Sequence, residues 1–328
     1  MYAHDGLGML SPFVRRDLSL VYVPNSESSS VDVISQKTFR IVRHFAVGAI
    51  PEHVVPSFDL RALYVLDDGG NALTPIDPRT GRPGRPIAVP DPYNLYFTPD
   101  GRFAIVVAER LNRLDFRDPR TFRLRRSVPV PCAGVNHMDF SGDGRYAIVS
   151  CERSEQLLKL DVRRARIVAT RRLPGSYAVP QDVRVAPNGR LFYVADLAAG
   201  GVWKVNGPRF RVIGFIRTGA GAHGLVVSRN GRFLYVANRN AGSVSVISFR
   251  TRRVVAKWPI PGGSPDMGNV SANGKVLWLS GRFDSQVYAF ATRTGRVLAR
   301  IPVGASPHGV CVWPQAGRHS LGHVGNMR

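Results

Sequence analysis

Long apolar stretches are missing from this 328-residue sequence, and their absence excludes one class of protein. No hydrophobic run approaches the roughly 18 residues that a membrane-spanning helix needs. Met1 to Arg16 also lack the charged-then-apolar layout of a signal peptide. As given, this beginning carries no export signal, which fits either a mature form or a misassigned start.

Lysine and cysteine are scarce as well. Only five of the 45 basic residues are lysines, so arginine supplies most of the net charge of +22. Such a charge favours contact with an anionic partner, although a merely solvated basic surface is the alternative. The three cysteines, Cys132, Cys151 and Cys311, lack the spacing of a zinc motif.

Motifs of known catalytic chemistry are also absent. The sequence has no Gly-x-Ser-x-Gly, no phosphate-binding loop, no dinucleotide fingerprint and no Cys-x-x-Cys-His for covalent haem. It has no zinc finger and no clear set of stacking aromatics, which argues against sequence-specific nucleic-acid recognition. These absences favour a non-enzymatic binding protein.

What the sequence has is a repeat of about 42 residues. Asp-Gly-Arg, Asn-Gly-Arg or Asn-Gly-Lys precedes an apolar run five times, at Gly101, Gly144, Gly189, Gly231 and Gly274. Asn-Gly and Asp-Gly between apolar runs are strong hairpin signals because these turns need a positive φ. Two earlier copies lack the glycine, at Asp59-Leu60-Arg61 and Asp17-Leu18-Ser19. The copies therefore number seven.

Each repeat contains four strand-like segments, which is the pattern of a β-propeller blade. The first repeat lacks its own first strand, whereas Pro307 to Trp313 resembles a first strand with no repeat behind it. We therefore predict an all-β, seven-bladed β-propeller with four antiparallel strands per blade. The C-terminal strand should join blade 1 and close the ring, which removes the open sheet edge. The predicted organisation is an N-terminal extension (1–17), the propeller (18–316) and a C-terminal tail (317–328).

The repeat also sorts residues onto two faces. The hairpins between strands one and two should lie on the bottom face, and they carry Arg61, Arg102, Arg145, Arg190, Arg232 and Lys275. The second set of bottom hairpins adds further arginines, including Arg163, Arg164 and Arg166. This face is expected to be basic and could bind an anionic polymer or surface.

The loops leading into the first strands should meet on the top face, around the mouth of the central channel. A concave mouth of this kind is a usual ligand site. The candidate ligand-binding residues at these positions are Glu52, His53, Asn94, Asn136, His137, Gln181, Asp182, His223, Asp266 and His308. Histidine is the commonest metal ligand, so His137, Asp182, His223 and His308 are candidates for a metal site assembled across blades. The alternative is that these histidines only hydrogen-bond loop backbone.

The repeat register places Cys132 in the loop leading into blade 4 and Cys151 at the end of the second strand of that blade. The two can form a disulfide if their separation allows it, or remain thiols. Cys311 falls in the closing strand and is expected to be a buried thiol.

Several segments together resemble the YVTN-type β-propeller repeat family. They are Ser306-Pro307-His308-Gly309-Val310, the Asn-Gly-Arg turns, Leu234-Tyr235-Val236-Ala237-Asn238, Gly242-Ser243-Val244-Ser245-Val246-Ile247 and Ile301-Pro302-Val303-Gly304. The resemblance covers residues 18 to 316 and implies an exported bacterial protein without an assigned reaction. It therefore favours an extracytoplasmic location over the cytoplasmic alternative.

The sequence-based hypothesis is a monomeric binding propeller without a cofactor. Its top face would bind a small ligand or a protein. One alternative is a redox enzyme with non-covalent haem or a divalent metal, because the repeat is distantly similar to the d1-haem propellers of nitrite reductases. That reading would use His53, His137, His223 and His308. A second alternative is a metal-dependent hydrolase or lyase similar in architecture to lactonase-like propellers, with Glu52, Asn94, Asn136 and Asp182 around a cation.

Overall fold

The five repeat glycines form the tight turns that the sequence predicts. Gly101, Gly144, Gly189 and Gly274 have φ of +68°, and Gly231 has φ of +64°. In most copies the acidic or amide residue before the glycine accepts a hydrogen bond from a Ser or Thr two positions earlier. The same side-chain oxygen also accepts the amide hydrogen of the residue after the glycine. These side-chain bonds fix the hairpin that opens each blade.

The computed structural model describes residues 2–175 and 177–328, which form a closed ring of seven antiparallel sheets. The seven-bladed prediction is confirmed. Blade 1 contains β1 (Leu20–Asn25), β2 (Ser30–Ser35), β3 (Ile41–Ala46) and the closing strand β29 (Cys311–Trp313). Blade 2 contains β4 (Pro51–Pro56), β5 (Leu63–Asp67), β6 (Ala72–Asp77), β7 (Arg82–Pro83) and β8 (Ile87–Ala88). Blade 3 contains β9 (Asn94–Phe97), β10 (Ala104–Ala108), β11 (Arg113–Arg117) and β12 (Leu124–Pro129).

The other four blades follow the same plan. Blade 4 contains β13 (Val135–Phe140), β14 (Tyr146–Cys151), β15 (Gln156–Asp161) and β16 (Arg166–Arg172). Blade 5 contains β17 (Pro180–Val185), β18 (Leu191–Asp196), β19 (Gly201–Asn206) and β20 (Arg211–Arg217). Blade 6 contains β21 (Ala222–Val227), β22 (Phe233–Asn238), β23 (Ser243–Ser248) and β24 (Arg253–Pro259). Blade 7 contains β25 (Pro265–Val270), β26 (Val276–Gly281), β27 (Gln286–Ala291) and β28 (Val297–Pro302). Two short 3-10 helices span Pro12–Val14 and Glu152–Ser154.

The fourth strand of blade 2 is the exception to the plan. It is broken into β7 and β8, which both pair with β6. The segment between them contains Gly84 and Pro86, and Pro83 ends β7. Proline cannot donate to the strand ladder, which explains the interruption on this outer edge.

Closure of the ring follows the sequence prediction. Strand β29 pairs antiparallel with β1, with Trp313 opposite Leu20 and Cys311 opposite Tyr22. The indole of Trp313 also donates a hydrogen bond to Asp17. The two ends of the propeller therefore share one sheet, and the predicted closure is confirmed.

The core lies between neighbouring blades. First strands are buried along their whole length, except that Val227 at the end of β21 is half-buried, whereas fourth strands such as β16 contain half-buried and exposed residues. Side chains such as Tyr96 of blade 3 and Phe140 of blade 4 pack in one shared cluster. The seven first strands therefore line the central channel.

The C-terminal segment continues beyond the closing strand and enters the channel. Leu321 accepts a hydrogen bond from the amide of Phe97, and Ser320 donates one to the carbonyl of Phe58. The amide side chain of Asn269 donates to the carbonyls of Val324 and Gly325. The tail thus contacts blades on opposite sides of the ring. Within the described part of the chain, no helix is long and apolar enough to cross a membrane.

Candidate functional site

Irregular starts of the first strands position the candidate residues. The register of β13 shifts between Val135 and Met138, and β17, β21 and β25 shift at the corresponding places. Strand β4 shifts between Pro51 and His53. A bulge leaves the extra residues unpaired and changes the direction of their side chains. The candidate residues at the starts of these five strands lie at or inside the irregularities.

The four predicted histidines lie against one another in the channel. Ring centroids are 4.7 Å apart for His53 and His308, 5.6 Å for His53 and His137, and 5.6 Å for His223 and His308. His137 and His223 are 6.3 Å apart. All four side chains are buried. The structure therefore brings together residues from blades 1, 2, 4 and 6.

A fifth histidine joins them from the C-terminal tail. The ring of His323 lies 5.0 Å from His137 and 5.2 Å from His53, and it stacks on Tyr96. Sequence reasoning missed His323 because the residue follows the last repeat and has no equivalent in the others. The only hint is that His323 lies among glycines in a segment that the repeat does not explain.

His53, His137 and His323, which we call the central histidine group, contain buried nitrogens without a hydrogen-bond partner. These atoms are Nε2 of His53, both ring nitrogens of His137 and Nε2 of His323. One nitrogen from each ring can be chosen so that all three lie within 4.8 Å of one another. Nδ1 of His53 lies 2.9 Å from the carbonyl oxygen of Tyr93, which leaves Nε2 as a free acceptor. This arrangement has the donor atoms and the spacing of a metal site.

The second group consists of His223, Asp266 and His308, and its rings are paired with carboxylates. Nδ1 of His223 lies 2.8 Å from Oδ1 of Asp266, and Nδ1 of His308 lies 2.8 Å from Oε2 of Glu52. Arg239 also binds Asp266, at 2.7 Å. These carboxylates orient the imidazoles and are balanced by nearby guanidinium groups.

Burial keeps the central imidazoles neutral. It lowers the pKa of His53 and of His137 well below the usual range, and neighbouring histidines lower both further. The pKa of His323 falls to about 4, because burial outweighs the opposing charge of Asp182. Burial and the charge of Arg239 lower the pKa of His223 to about 4 as well. Neutral imidazoles are the form that binds metal ions.

The carboxylates of the site stay ionised despite burial. The charges of His308 and Arg282 outweigh the burial of Glu52 and lower its pKa to about 2. Arg239 and His223 do the same for Asp266, whose pKa lies well below its usual range. Glu52 and Asp266 therefore stay negatively charged near neutral pH.

The remaining predicted residues have different positions. Asn94 places Nδ2 3.0 Å from Nδ1 of His323, and Asp182 lies 3.7 Å from Nε2 of the same ring. Asp182 also accepts amide hydrogens from Val183 and Leu225 and bonds Arg184. Asn136 instead donates to Glu152, away from the central histidine group. Gln181 is buried beside Asp182 in β17.

A disulfide lies next to this site. Cys132 and Cys151 are joined, with Cα atoms 6.1 Å apart, and Cys311 is a buried free thiol. The bond ties the loop leading into β13 to the end of β14. It therefore restrains the chain three residues before Val135, close to His137.

The bottom face carries the predicted basic side chains in exposed positions. All six residues of the first hairpin set are exposed, as are Arg163, Arg164 and Arg166. Arg61 and Arg145 approach the acidic residue of their own turn at 4.0 and 3.7 Å. Among the residues that the structure describes, the other four of the first set form no ion pair with a carboxylate.

Comparison with known proteins agrees with this architecture. A family model described as YNCE-like beta-propeller matches residues 9–318. No curated protein sequence matches the chain.

Three solved structures illustrate the similarity. Hydrazine synthase of Kuenenia stuttgartiensis superposes with a TM-score of 0.72 and 19% identity, covering 88% of this chain and 96% of that chain. Dihydro-heme d1 dehydrogenase NirN superposes with a TM-score of 0.69 and 15% identity, covering 94% and 79% respectively. A functionally unknown protein from Desulfotomaculum acetoxidans superposes with a TM-score of 0.74 and 15% identity, covering 90% of this chain and 98% of that chain. At these identities the likeness shows the fold alone.

Proposed function

We propose that this chain, which belongs to the YNCE-like β-propeller family, is a binding propeller that holds one transition-metal ion between His53, His137 and His323. The ion would lie inside the channel, below the mouth that the sequence predicted. The observation that carries the proposal is the set of four buried imidazole nitrogens without partners.

Unpaired buried polar atoms are costly, and four of them lie together in the central histidine group. Each such atom destabilises a folded protein by about 1–3 kcal/mol. Unsatisfied groups in native structures therefore call for an explanation, and a bound ion is one. A metal ion would accept lone pairs from several of these nitrogens at once.

The donor set indicates the class of metal. Imidazole nitrogen suits zinc, copper, nickel and iron, whereas magnesium and calcium prefer oxygen ligands. The contact between His53 Nδ1 and the Tyr93 carbonyl is the kind of outer contact that orients a metal-binding ring. Asn94 contacts His323 in the opposite sense, because Nδ2 donates to Nδ1 while Oδ1 accepts the amide of Leu95. Metal binding through Nε2 of His323 would therefore require the Asn94 amide to turn and accept the Nδ1 hydrogen.

Two features favour binding of an ion over the enzymatic alternatives. Neighbouring imidazole rings in direct contact leave no gap for a planar haem between them. The side chains of His53, His137 and His323 are fully buried, so a substrate has no direct contact with an ion held there. Both features support a binding role.

Elemental analysis tests the proposal on protein purified without a chelator and without a histidine tag. We expect about one equivalent of zinc, copper or nickel per chain, and its loss in the double variant H53A/H137A. The variant H44A is the matched control, because His44 lies on the outer strand β3 with 58% of its side chain exposed. Metal-free protein that also fails to take up Zn²⁺ in titrations would overturn the proposal. A visible haem spectrum would favour the redox alternative.

The disulfide supports an extracytoplasmic location as part of this proposal. Disulfides persist mainly in oxidising compartments, and Cys132 and Cys151 are joined in the structure. Fractionation of the native host should then recover the protein outside the cytoplasm. Recovery only from the cytoplasm, with both thiols free, would contradict this location.

Binding of an anionic polymer to the bottom face is a second candidate function. Its support is the row of exposed Arg102, Arg190, Arg232 and Lys275, which form no ion pair with the described carboxylates. Association with inorganic polyphosphate should weaken steeply with added salt, since binding would release counterions. The triple variant R102E/R190E/R232E should lose this binding, whereas R153E on the top face should keep it. Equal binding by both variants would reject the bottom face as the site.

A further inference from the structure

We infer that the C-terminal segment 317–328 is a ligand-bearing arm, so that its docking in the channel and metal binding form one coupled equilibrium. The inference rests on the proposed metal site. The ring supplies His53 from β4 and His137 from β13, but the third ligand, His323, belongs to a segment outside every blade. The site is incomplete until this segment is docked.

The arm is largely buried and contacts several blades. The amide of His323 donates to the carbonyl of Leu95 at 2.7 Å, and the amide of Phe97 donates to Leu321 at 3.1 Å. At the end of the chain, Arg328 bonds Asp139 at 2.9 Å. The segment forms isolated bridges in place of a continuous ladder with any blade. Because no ladder among the described residues joins the arm to a blade, it can open without unfolding a sheet.

The turn that carries His323 is specific in its backbone. His323 has φ of 52° and Gly322 has φ of 96°. A Cβ atom at Gly322 would collide with the carbonyl oxygen of Leu95 and with the Cα of Tyr96. A non-glycine residue in the left-handed region is strained, and such residues persist where the surroundings fix them, often at ligand clamps. The close approach of Gly322 to the channel wall therefore requires glycine, and the turn directs the His323 ring towards His53 and His137.

Two side chains of the ring receive the imidazole. Asn94 contacts Nδ1 of His323 at 3.0 Å, whereas Asp182 lies 3.7 Å from Nε2. Oδ2 of Asp182, the oxygen that faces this ring, accepts the amide of Leu225 and lies beyond hydrogen-bond distance of Nε2. Nε2 of His323 has no hydrogen-bond partner and, while Nδ1 accepts from Asn94, carries the ring proton. It would become a metal ligand shared with His53 and His137 once the Asn94 amide turns and the proton moves to Nδ1.

Coupling follows from thermodynamic linkage. A metal that binds only when the arm is docked must favour docking by the same factor by which docking favours metal binding. With free metal at 100 times its dissociation constant, the open fraction of the arm falls about 100-fold. A bound metal ion would thus keep the C-terminal segment docked in the channel.

Hydrogen exchange of the full-length protein, with Zn²⁺ as the probe, tests the inference. We expect Zn²⁺ to slow exchange of amides in residues 319–328 about 100-fold in the wild type. In H323A, Zn²⁺ should bind at least about tenfold more weakly and should no longer slow exchange of the arm. The variant G322A alters no ligand side chain, yet it should weaken Zn²⁺ binding similarly because its Cβ blocks docking.

Gly8 offers the matched control for G322A. It also has a positive φ, of 71°, but a Cβ there meets no atom within 4 Å. G8A should therefore bind Zn²⁺ as the wild type does. If H323A binds Zn²⁺ with wild-type affinity, or if Zn²⁺ leaves the hydrogen exchange of the arm unchanged, the arm does not supply a ligand. That result would refute this inference but not the proposed metal site. If the wild type binds no Zn²⁺, the proposed metal site falls as well. Should G322A fail to fold, H323A still decides the question.

Discussion

Replacement of His137 by leucine should stabilise the metal-free protein and abolish its stabilisation by metal. Both ring nitrogens of His137 are buried without a partner, and its side chain is fully enclosed. Each unpaired nitrogen costs about 1 kcal/mol or more, so that removing both gains at least about 2 kcal/mol. Leucine differs in shape from histidine, and the poorer packing should reduce this gain by about 1 kcal/mol. The metal-free H137L variant should therefore be more stable by about 1 kcal/mol.

Metal binding should reverse the order of stability of the wild type and H137L. At a free metal concentration 100 times the dissociation constant, the wild type gains about 2.7 kcal/mol from binding. H137L lacks a ligand and should gain almost nothing. The loaded wild type should then exceed the variant by between about 1 and 2 kcal/mol.

Urea denaturation at pH 7.5, with chelator or with Zn²⁺, measures both free energies of unfolding. H44L is the control, since His44 lies away from the channel with 58% of its side chain exposed; it loses a 2.8 Å contact with Asp32 but should leave the stabilisation by Zn²⁺ unchanged. A metal-free H137L that is less stable than the wild type by about 2 kcal/mol would refute the reasoning. It would mean that the imidazole makes stabilising contacts of its own in the absence of metal.

Three further outcomes are expected. In metal-free protein between about pH 6.5 and pH 4, the free energy of unfolding of H137L should fall less steeply with acid than that of the wild type, by about 1.4 kcal/mol per pH unit in a pH series of urea denaturations; equal slopes would contradict the burial of His137. The comparison with a variant is needed because burial raises the pKa of Asp5 and Asp67 to about 6 and that of Asp68 and Glu109 to about 7, which opposes the effect of the histidines in the same range. The unfolded chain binds protons there, whereas the buried imidazoles of four histidines do not. These histidines are His53, His137, His223 and His323. Reduction of the Cys132–Cys151 disulfide should lower the free energy of unfolding by about 3 kcal/mol, measured with and without dithiothreitol. The control variant C311S leaves this bond intact and should remain as sensitive to the reductant as the wild type. Deletion of residues 307–328 should prevent cooperative folding, because it removes the strand that pairs with β1, and a sharp thermal transition near that of the intact chain would show that closure is dispensable.

The architecture was predictable because its signals are local and periodic. The turn at Gly101 and its equivalents needs only a few adjacent residues, and the same pattern recurs around the chain. Even Leu60, which occupies a glycine position, adopts the left-handed φ of 63° that the repeat requires. The missing first strand of blade 1 and the unmatched strand at the C-terminus then indicated closure without further information.

The candidate site was predictable only in outline. The repeat register places His53, His137, His223 and His308 at the starts of first strands, and the geometry of a ring brings such positions towards its axis. The register could not indicate the bulges that displace these residues from regular pairing. It also could not show that His223 and His308 pair with carboxylates while His137 has no partner, because that depends on distances between different blades.

The sequence by itself determined the number of blades, the strands within them and the closure of the ring, since each follows from turn chemistry and apolar spacing repeated along the chain. The tertiary structure alone decided that the tail turns back into the channel and places His323 beside His53 and His137. The physical reason is that a docked arm is specified by contacts with residues far away in sequence, such as Leu95 and Asn269, and such contacts have no period that a single sequence can reveal.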